Sequence, residues 1–225
     1  MSAMKILIVL AHPEQQSFNA ALFRTAVATL SAAGHEVKTS DLYAMRFDPV
    51  SGRQNFLGAK DPDYFKQQAE ELYATETFGF AEDVENEIQK LEWCELMIWQ
   101  FPLWWFGLPA ILKGWVDRVF AMGRTYGGDK IFGNGVFKGR RALLSLTTGG
   151  PAASYAKGGF QGDIHAILRP IQRGMLQFVG FDVLAPHIAN GPVRLDQAAR
   201  TAILDRYAAR LLQIEAEPPY EVGLY

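Results

Sequence analysis

Cysteine is nearly missing from this sequence: Cys94 is the only one in 225 residues. A single thiol excludes an internal disulfide and fits a reducing compartment. Histidine is scarce too. His12, His35, His165 and His187 show no metal-ligand spacing with one another or with Cys94, so no metal site is expected. Nor is there an excess of either charge. The 22 Lys and Arg nearly balance 24 Asp and Glu, a net of −2, which gives no electrostatic reason to expect nucleic acid or an anionic membrane as partner. The one local basic cluster, Lys138, Arg140 and Arg141, precedes an apolar strand and reads as its solvated entrance.

Long apolar runs are absent as well. Residues 6–10 are too few for the apolar segment of a signal peptide. Residues 96–112 are the most apolar stretch, but Gln100, Pro102, Gly107 and Pro109 interrupt it well short of the roughly 20 residues that a membrane helix needs. A cytoplasmic protein is expected. The sequence also lacks G-x-G-x-x-G, a Walker lysine and a G-x-S-x-G elbow. A phospho-acceptor receiver would carry clustered acids after its first strand, where this chain has Ala11, His12 and Pro13.

What is present is alternation of strand and helix, the pattern of a parallel sheet covered on both faces. Residues 5–10 suit a buried central strand. Phe18, Leu22, Phe23, Ala26, Val27 and Leu30 then recur at helical spacing, between a Ser17 N-cap and a Gly34 stop. Residues 36–39 make a shorter second strand. Residues 43–80 are polar, aromatic and aperiodic apart from a helix near 63–73, which makes them an insertion rather than a simple loop.

Phe80, Val84, Ile88 and Leu91 mark the next helix, and residues 96–101 the third strand. Pro109 opens a helix in whose first turn its missing N–H costs nothing. Residues 141–146 form the fourth strand, 164–179 a helix ending at Gly180, 183–185 a short fifth strand, and 197–214 a closing helix. With no repeat or linker, residues 1–225 read as a single α/β domain: a flavodoxin-like, doubly wound, five-stranded parallel sheet with helices on both faces and an insertion at about 43–80.

Ligands of such sheets bind beyond the carboxyl ends of the strands, and three loops there are unusual. After the first strand, Ser17 offers a hydroxyl, Phe18 and Asn19 offer N–H groups at a helix N-terminus, and His12 stands ready to meet a second phosphate. Taken alone, this loop reads better with Ser17 as a plain helix cap and His12 as a loop residue. After the third strand, Pro102, Leu103, Trp104, Trp105 and Phe106 concentrate aromatics where a flat conjugated ligand could stack; satellite packing or a dimer contact would use them too. After the fourth, Thr147, Thr148, Gly149 and Gly150 combine hydroxyls with open backbone amides suited to a ring edge, or form only a turn.

Together these residues resemble the FAD-containing NAD(P)H:quinone oxidoreductases of DT-diaphorase type. The strings that carry the resemblance are A-H-P-E-x-x-S-F-N from Ala11, S-D-L-Y-A-M from Ser40, F-P-L-x-W-F-G-x-P-A-I-L-K-G-W from Phe101, T-T-G-G from Thr147 and P-I-Q-x-G from Pro170. The resemblance runs nearly end to end. It implies FAD rather than FMN, held by His12, Ser17, Phe18 and Asn19 at the pyrophosphate and by residues 102–106 under the ring. Thr147, Thr148, Gly149, Gly150 and Tyr155 would surround the polar edge, and Arg200 and Leu204 the adenosine end.

It further implies a homodimer with the active site at the interface. Trp105, Phe106, Phe178 and a partner-supplied Tyr126 would wall the substrate pocket. NAD(P)H would reduce the flavin, leave, and be replaced by a quinone in ping-pong order. Tyr155 and the Gly149 and Gly150 amides would stabilise the developing charge. Azo and nitro compounds are further candidate acceptors, and a flavin-binding regulatory subunit of a potassium-efflux-type transporter is the rival role. The chain departs from the family where Trp104 replaces a glutamine, Gln161 a histidine and Gly128 a pocket tyrosine. Arg173 and Gln177 stand where one short vertebrate member has metal-binding histidines.

Overall fold

A computed structural model describes residues 3–224. It contains strands β1 (Lys5–Leu10), β2 (Glu36–Asp41), β3 (Leu96–Pro102), β4 (Arg141–Thr148), β5 (Asp182–Val183) and β6 (His187–Asn190). The helices are α1 (Phe18–Ala32), α2 (Gln67–Thr77), α3 (Glu82–Trp93), α4 (Ala110–Val119), α5 (Ile164–Ile171) and α6 (Gln197–Leu211). The strands are parallel in the order β2-β1-β3-β4-β5, with β6 also on β4. That order is flavodoxin-like, and its switch point falls between β1 and β3.

The helix expected near 63–73 lies at Gln67–Thr77 and the closing helix ends at Leu211, and two further elements differ in kind from the sequence reading. The fifth sheet position is split: Arg141 and Ala142 pair with Asp182 and Val183, whereas residues 145–148 pair with His187–Asn190. Pro186 between them has no N–H for a ladder, so the expected strand at 183–185 ends early and resumes as β6. The helix expected over 164–179 is α-helical only to Ile171 and contains Pro170. The chain continues as a π-helical turn, Gln172–Gln177, with the Phe178 N–H donating to the Arg173 carbonyl at 3.1 Å.

Alternation along the strands divides the core between the two faces of the sheet. Ile6, Ile8 and Ile98 pack with Leu22 and Leu30 of α1 and Tyr207 and Leu211 of α6. Leu7, Val9 and Trp99 pack with Val84 and Ile88 of α3 and Leu112 and Trp115 of α4. The insertion is pinned to this second layer. Arg118 of α4 donates to the Asn55 amide oxygen at 2.7 Å and the Asp48 carbonyl at 2.8 Å. A Cβ on Gly114 would lie 2.2 Å from the Pro49 carbonyl, so only glycine lets the insertion press so close. Gly114→Ala is therefore expected to destabilise the fold by several kcal/mol, about 3 by the usual scale of overpacking, and a thermal melt within a degree of wild type would refute that. Among the described residues, no helix is long and apolar enough to cross a membrane.

Candidate functional site

The carboxyl ends of β1, β3 and β4, with the N-terminal half of α6, enclose a cleft of about 570 Å³. His12, Ser17, Phe18 and Asn19 line it from the first loop, Pro102, Leu103 and Trp104 from the second, and Thr147, Thr148 and Gly149 from the third. Arg200 and Leu204 close it from α6. The three loops singled out by composition thus converge on one space, at the switch point where such sheets bind ligands.

The first loop enters α1 through Ser17, whose hydroxyl accepts the Ala20 N–H at 3.1 Å. Among the described residues, the N–H groups of Phe18 and Asn19 meet no protein acceptor, so the positive end of a 15-residue helix opens on the cleft. Asn19 is buried and cross-braces the floor. Its amide oxygen accepts from Gln100 of β3 at 2.8 Å, and its amide nitrogen donates to the Thr147 hydroxyl of β4 at 2.9 Å. A ring edge approaching β4 therefore meets a backbone fixed by side chains from three elements.

His12 accepts the Glu14 N–H on Nδ1 at 3.0 Å. Burial lowers its pKa, outweighing the backbone hydrogen bond with Glu14 and the Glu14 carboxylate, which both raise it. Nδ1 also lies 3.2 Å from the Glu14 carbonyl, so the Glu14 backbone holds this edge of the ring in either tautomer. Trp104 stands beside it, with ring centroids 6.1 Å apart.

Trp105 and Phe106 lie outside the cleft lining, at the centre of a tight turn closed by the Gly107 N–H on the Trp104 carbonyl at 2.9 Å. Both have positive φ, 50° and 59°, the backbone of a turn type that Gly, Asn and Asp dominate. Two bulky aromatics there cost on the order of 1 kcal/mol each. Trp105 is also 98 % exposed. Strain and exposure in the same two residues point to a surface that meets something else.

Gly150 and Tyr155 also lie outside the lining. Tyr155 is 8 % exposed, and a Cβ on Gly150 would sit 3.3 Å from its ring. The tyrosine lines another hollow with Asp163, His165 and Asn190, whose amide oxygen lies 3.0 Å from the hydroxyl of the cleft residue Thr148. Among the described residues its hydroxyl has no hydrogen-bond partner, while His165 Nδ1 is 2.9 Å from the Tyr220 hydroxyl. Tyr126 and Phe178 meet each other edge to face at 5.6 Å and line a different hollow, under α4 and the π-helical turn. Burial raises the Tyr126 pKa.

Composition did not reveal Gln16, Ala21, Pro192, Val193 and Gln197, which also line the cleft. Gln197 was discoverable, since 197, 200 and 204 share one helical face. Pro192 and Val193 follow β6, the strand that the apolar pattern hid.

A family model described as flavodoxin-like fold matches residues 4–214. NAD(P)H dehydrogenase [quinone] 1 of Cavia porcellus is 44 % identical over 216 residues, covering 96 % of this chain and 78 % of that protein. Ribosyldihydronicotinamide dehydrogenase [quinone] of Mus musculus is 43 % identical over 220 residues, covering 97 % and 95 %. A solved Klebsiella pneumoniae structure, assigned as a quinone reductase, superposes with a TM-score of 0.93 at 38 % identity, covering 96 % of this chain and 87 % of its own.

Proposed function

The chain belongs to the flavodoxin-like NAD(P)H:quinone oxidoreductase family, and from that membership we propose that its cleft holds FAD and that donor and quinone use the same space in turn. The protein is a flavin-dependent NAD(P)H dehydrogenase acting on quinones. Relatives at this identity bear the names of dehydrogenases, which favours the enzyme over the regulatory subunit.

The convergence of a free helix N-terminus, the Trp104 turn and the open Gly149 amide on one cleft is the observation that supports the proposal. No atom lies within 4 Å of a Cβ built on Gly149, so a ring edge could approach its backbone. Ser17, the Phe18 and Asn19 amides and the His12 ring would hold a pyrophosphate. Gln197, Arg200 and Leu204 extend the cleft to take an adenosine, which favours FAD over FMN. A bound flavin supplies two-electron hydride chemistry, and the protein supplies orientation and charge stabilisation. Pro102, Leu103 and Trp104 would seat the ring, while the Gly149 and Gly150 amides and Tyr155 donate toward its polar edge. The same open acceptor space would admit azo and nitro compounds.

Purified protein is expected to be yellow, and NADH, NADPH or ribosyldihydronicotinamide should bleach its bands anaerobically. Colourless protein that cannot be reconstituted would sink this reading. Chromatography of heat-released cofactor should give FAD; stoichiometric FMN refutes the adenosine site. Steady-state lines against quinone should be parallel, and intersecting lines would overturn the alternation of substrates.

Tyr126 and Phe178 lie outside their own chain's cleft lining, and Trp105 and Phe106 stand exposed. A two-fold dimer that sets each pair against the other's cleft accounts for both. Light scattering at micromolar concentration should return about twice the 25.1 kDa chain mass. A fully active monomer would remove the partner's role.

A further inference from the structure

A third hollow, of about 280 Å³, shares no lining residue with the cleft. The π-helical turn forms one side and loop residues 132–138 the other, with Gly135 and Gly180 clamping the two together. A Cβ on Gly135 would sit 2.5 Å from the Gly180 backbone, so the two segments touch without side chains between them.

Two cations line this space without being paired to a carboxylate. Among the described residues, neither Lys138 nor Arg173 takes part in an ion pair or a side-chain hydrogen bond. The Arg173 guanidinium lies over the Phe132 ring, 4.8 Å from its centroid. Stacking fixes the plane of the fork and leaves its N–H edges free. Phe132 is itself held in a costly conformation, at φ 48°, by its N–H donating to the Phe178 carbonyl at 2.8 Å. A strained aromatic that presents an unpaired guanidinium is the kind of outlier that argues for a ligand. Asp182, the only carboxylate in the lining, leaves the hollow with an excess of positive charge, and Gln177 adds a neutral amide.

We propose that this hollow is a binding site for a phosphate group. A planar fork beside a point-charge ammonium suits a compact tetrahedral anion, taking two oxygens on Arg173 and a third on Lys138. The volume lies at the lower limit of small-molecule sites, room for a phosphate with a small substituent rather than a dinucleotide.

Calorimetry on the flavin-loaded protein tests it without turnover, so failure here leaves the proposed oxidoreductase function untouched. Inorganic phosphate should bind saturably with a dissociation constant of about 1 mM or tighter, and sodium chloride at equal ionic strength should not. Glycerol phosphate, run in parallel, separates the sources: binding tenfold tighter than phosphate assigns a metabolite ester, and equal binding assigns the free ion. Arg173→Gln, at a half-buried position, and Lys138→Gln, at an exposed one, should each weaken binding at least tenfold, and Arg173→Lys should weaken it less than Arg173→Gln. Heat indistinguishable from the chloride control, or binding that survives both glutamine variants, overturns the site.

Discussion

Asn19→Ala is expected to cost this protein both stability and cofactor. The substitution strips the Gln100 amide nitrogen and the Thr147 hydroxyl of their buried partner at once. Gln100 would then be wholly unpaired, because its amide oxygen has no partner to begin with. Each stranded group costs about 1–3 kcal/mol, so the pair should lower the melting temperature by roughly 5–15 °C at this chain length. Flavin affinity should fall at least tenfold, since Thr147 anchors the strand end against which the ring edge would lie. A double-mutant cycle with Thr147→Val separates the brace from cavity formation: the two changes should add to less than their sum. Wild-type melting and wild-type flavin affinity in Asn19→Ala would show that the network is ornamental.

The parts of the molecule legible in the sequence were those in which local chemistry and fold agree. Ser17 caps α1 as its side chain and context require, Gly34 follows the helix end at φ 88°, and the apolar runs became β1, β3 and β4. The cleft was legible for the same reason: in a parallel sheet every strand-end loop faces one rim, so unusual composition in three such loops implies one site. What stayed hidden depends on distant partners. Nothing local says that Asn19 bridges β3 and β4, since Gln100 and Thr147 lie far along the chain. The split fifth strand was hidden because residues 187–190, with His187 and Asn190 at their ends, lack an apolar run, and only pairing with β4 makes them a strand. Placement beside the cleft was equally invisible for Tyr155, whose ring position follows from Gly150 rather than from spacing.

Tyr155→Phe is expected to slow flavin reduction by roughly ten- to a hundredfold, less than the loss of a full oxyanion-hole donor can cost. The reasoning starts from a phenol whose hydroxyl has no protein partner among the described residues, although its ring is packed against Gly150 and largely buried. A fixed ring with a free hydroxyl is a directed donor, and removing one oxygen should leave the packing intact. The resemblance implies a histidine where this chain has Gln161, whose amide cannot titrate near neutrality. The Gln161 N–H is tied to the Ser154 carbonyl at 2.8 Å, so this residue belongs to the loop that carries Tyr155. His165 lines the same hollow as Tyr155, with Nδ1 2.9 Å from the Tyr220 hydroxyl. Gln161→His should therefore introduce a pH dependence centred at about 6–7, the ordinary range of an imidazole. Faster reduction is expected below that range, where the protonated ring can support negative charge. Stopped-flow flavin reduction from about pH 5 to 9 reads both variants. Reduction of Tyr155→Phe at the wild-type rate would reduce Tyr155 to a packing residue beneath Gly150, and a flat profile for Gln161→His would place residue 161 out of reach of the reacting ring.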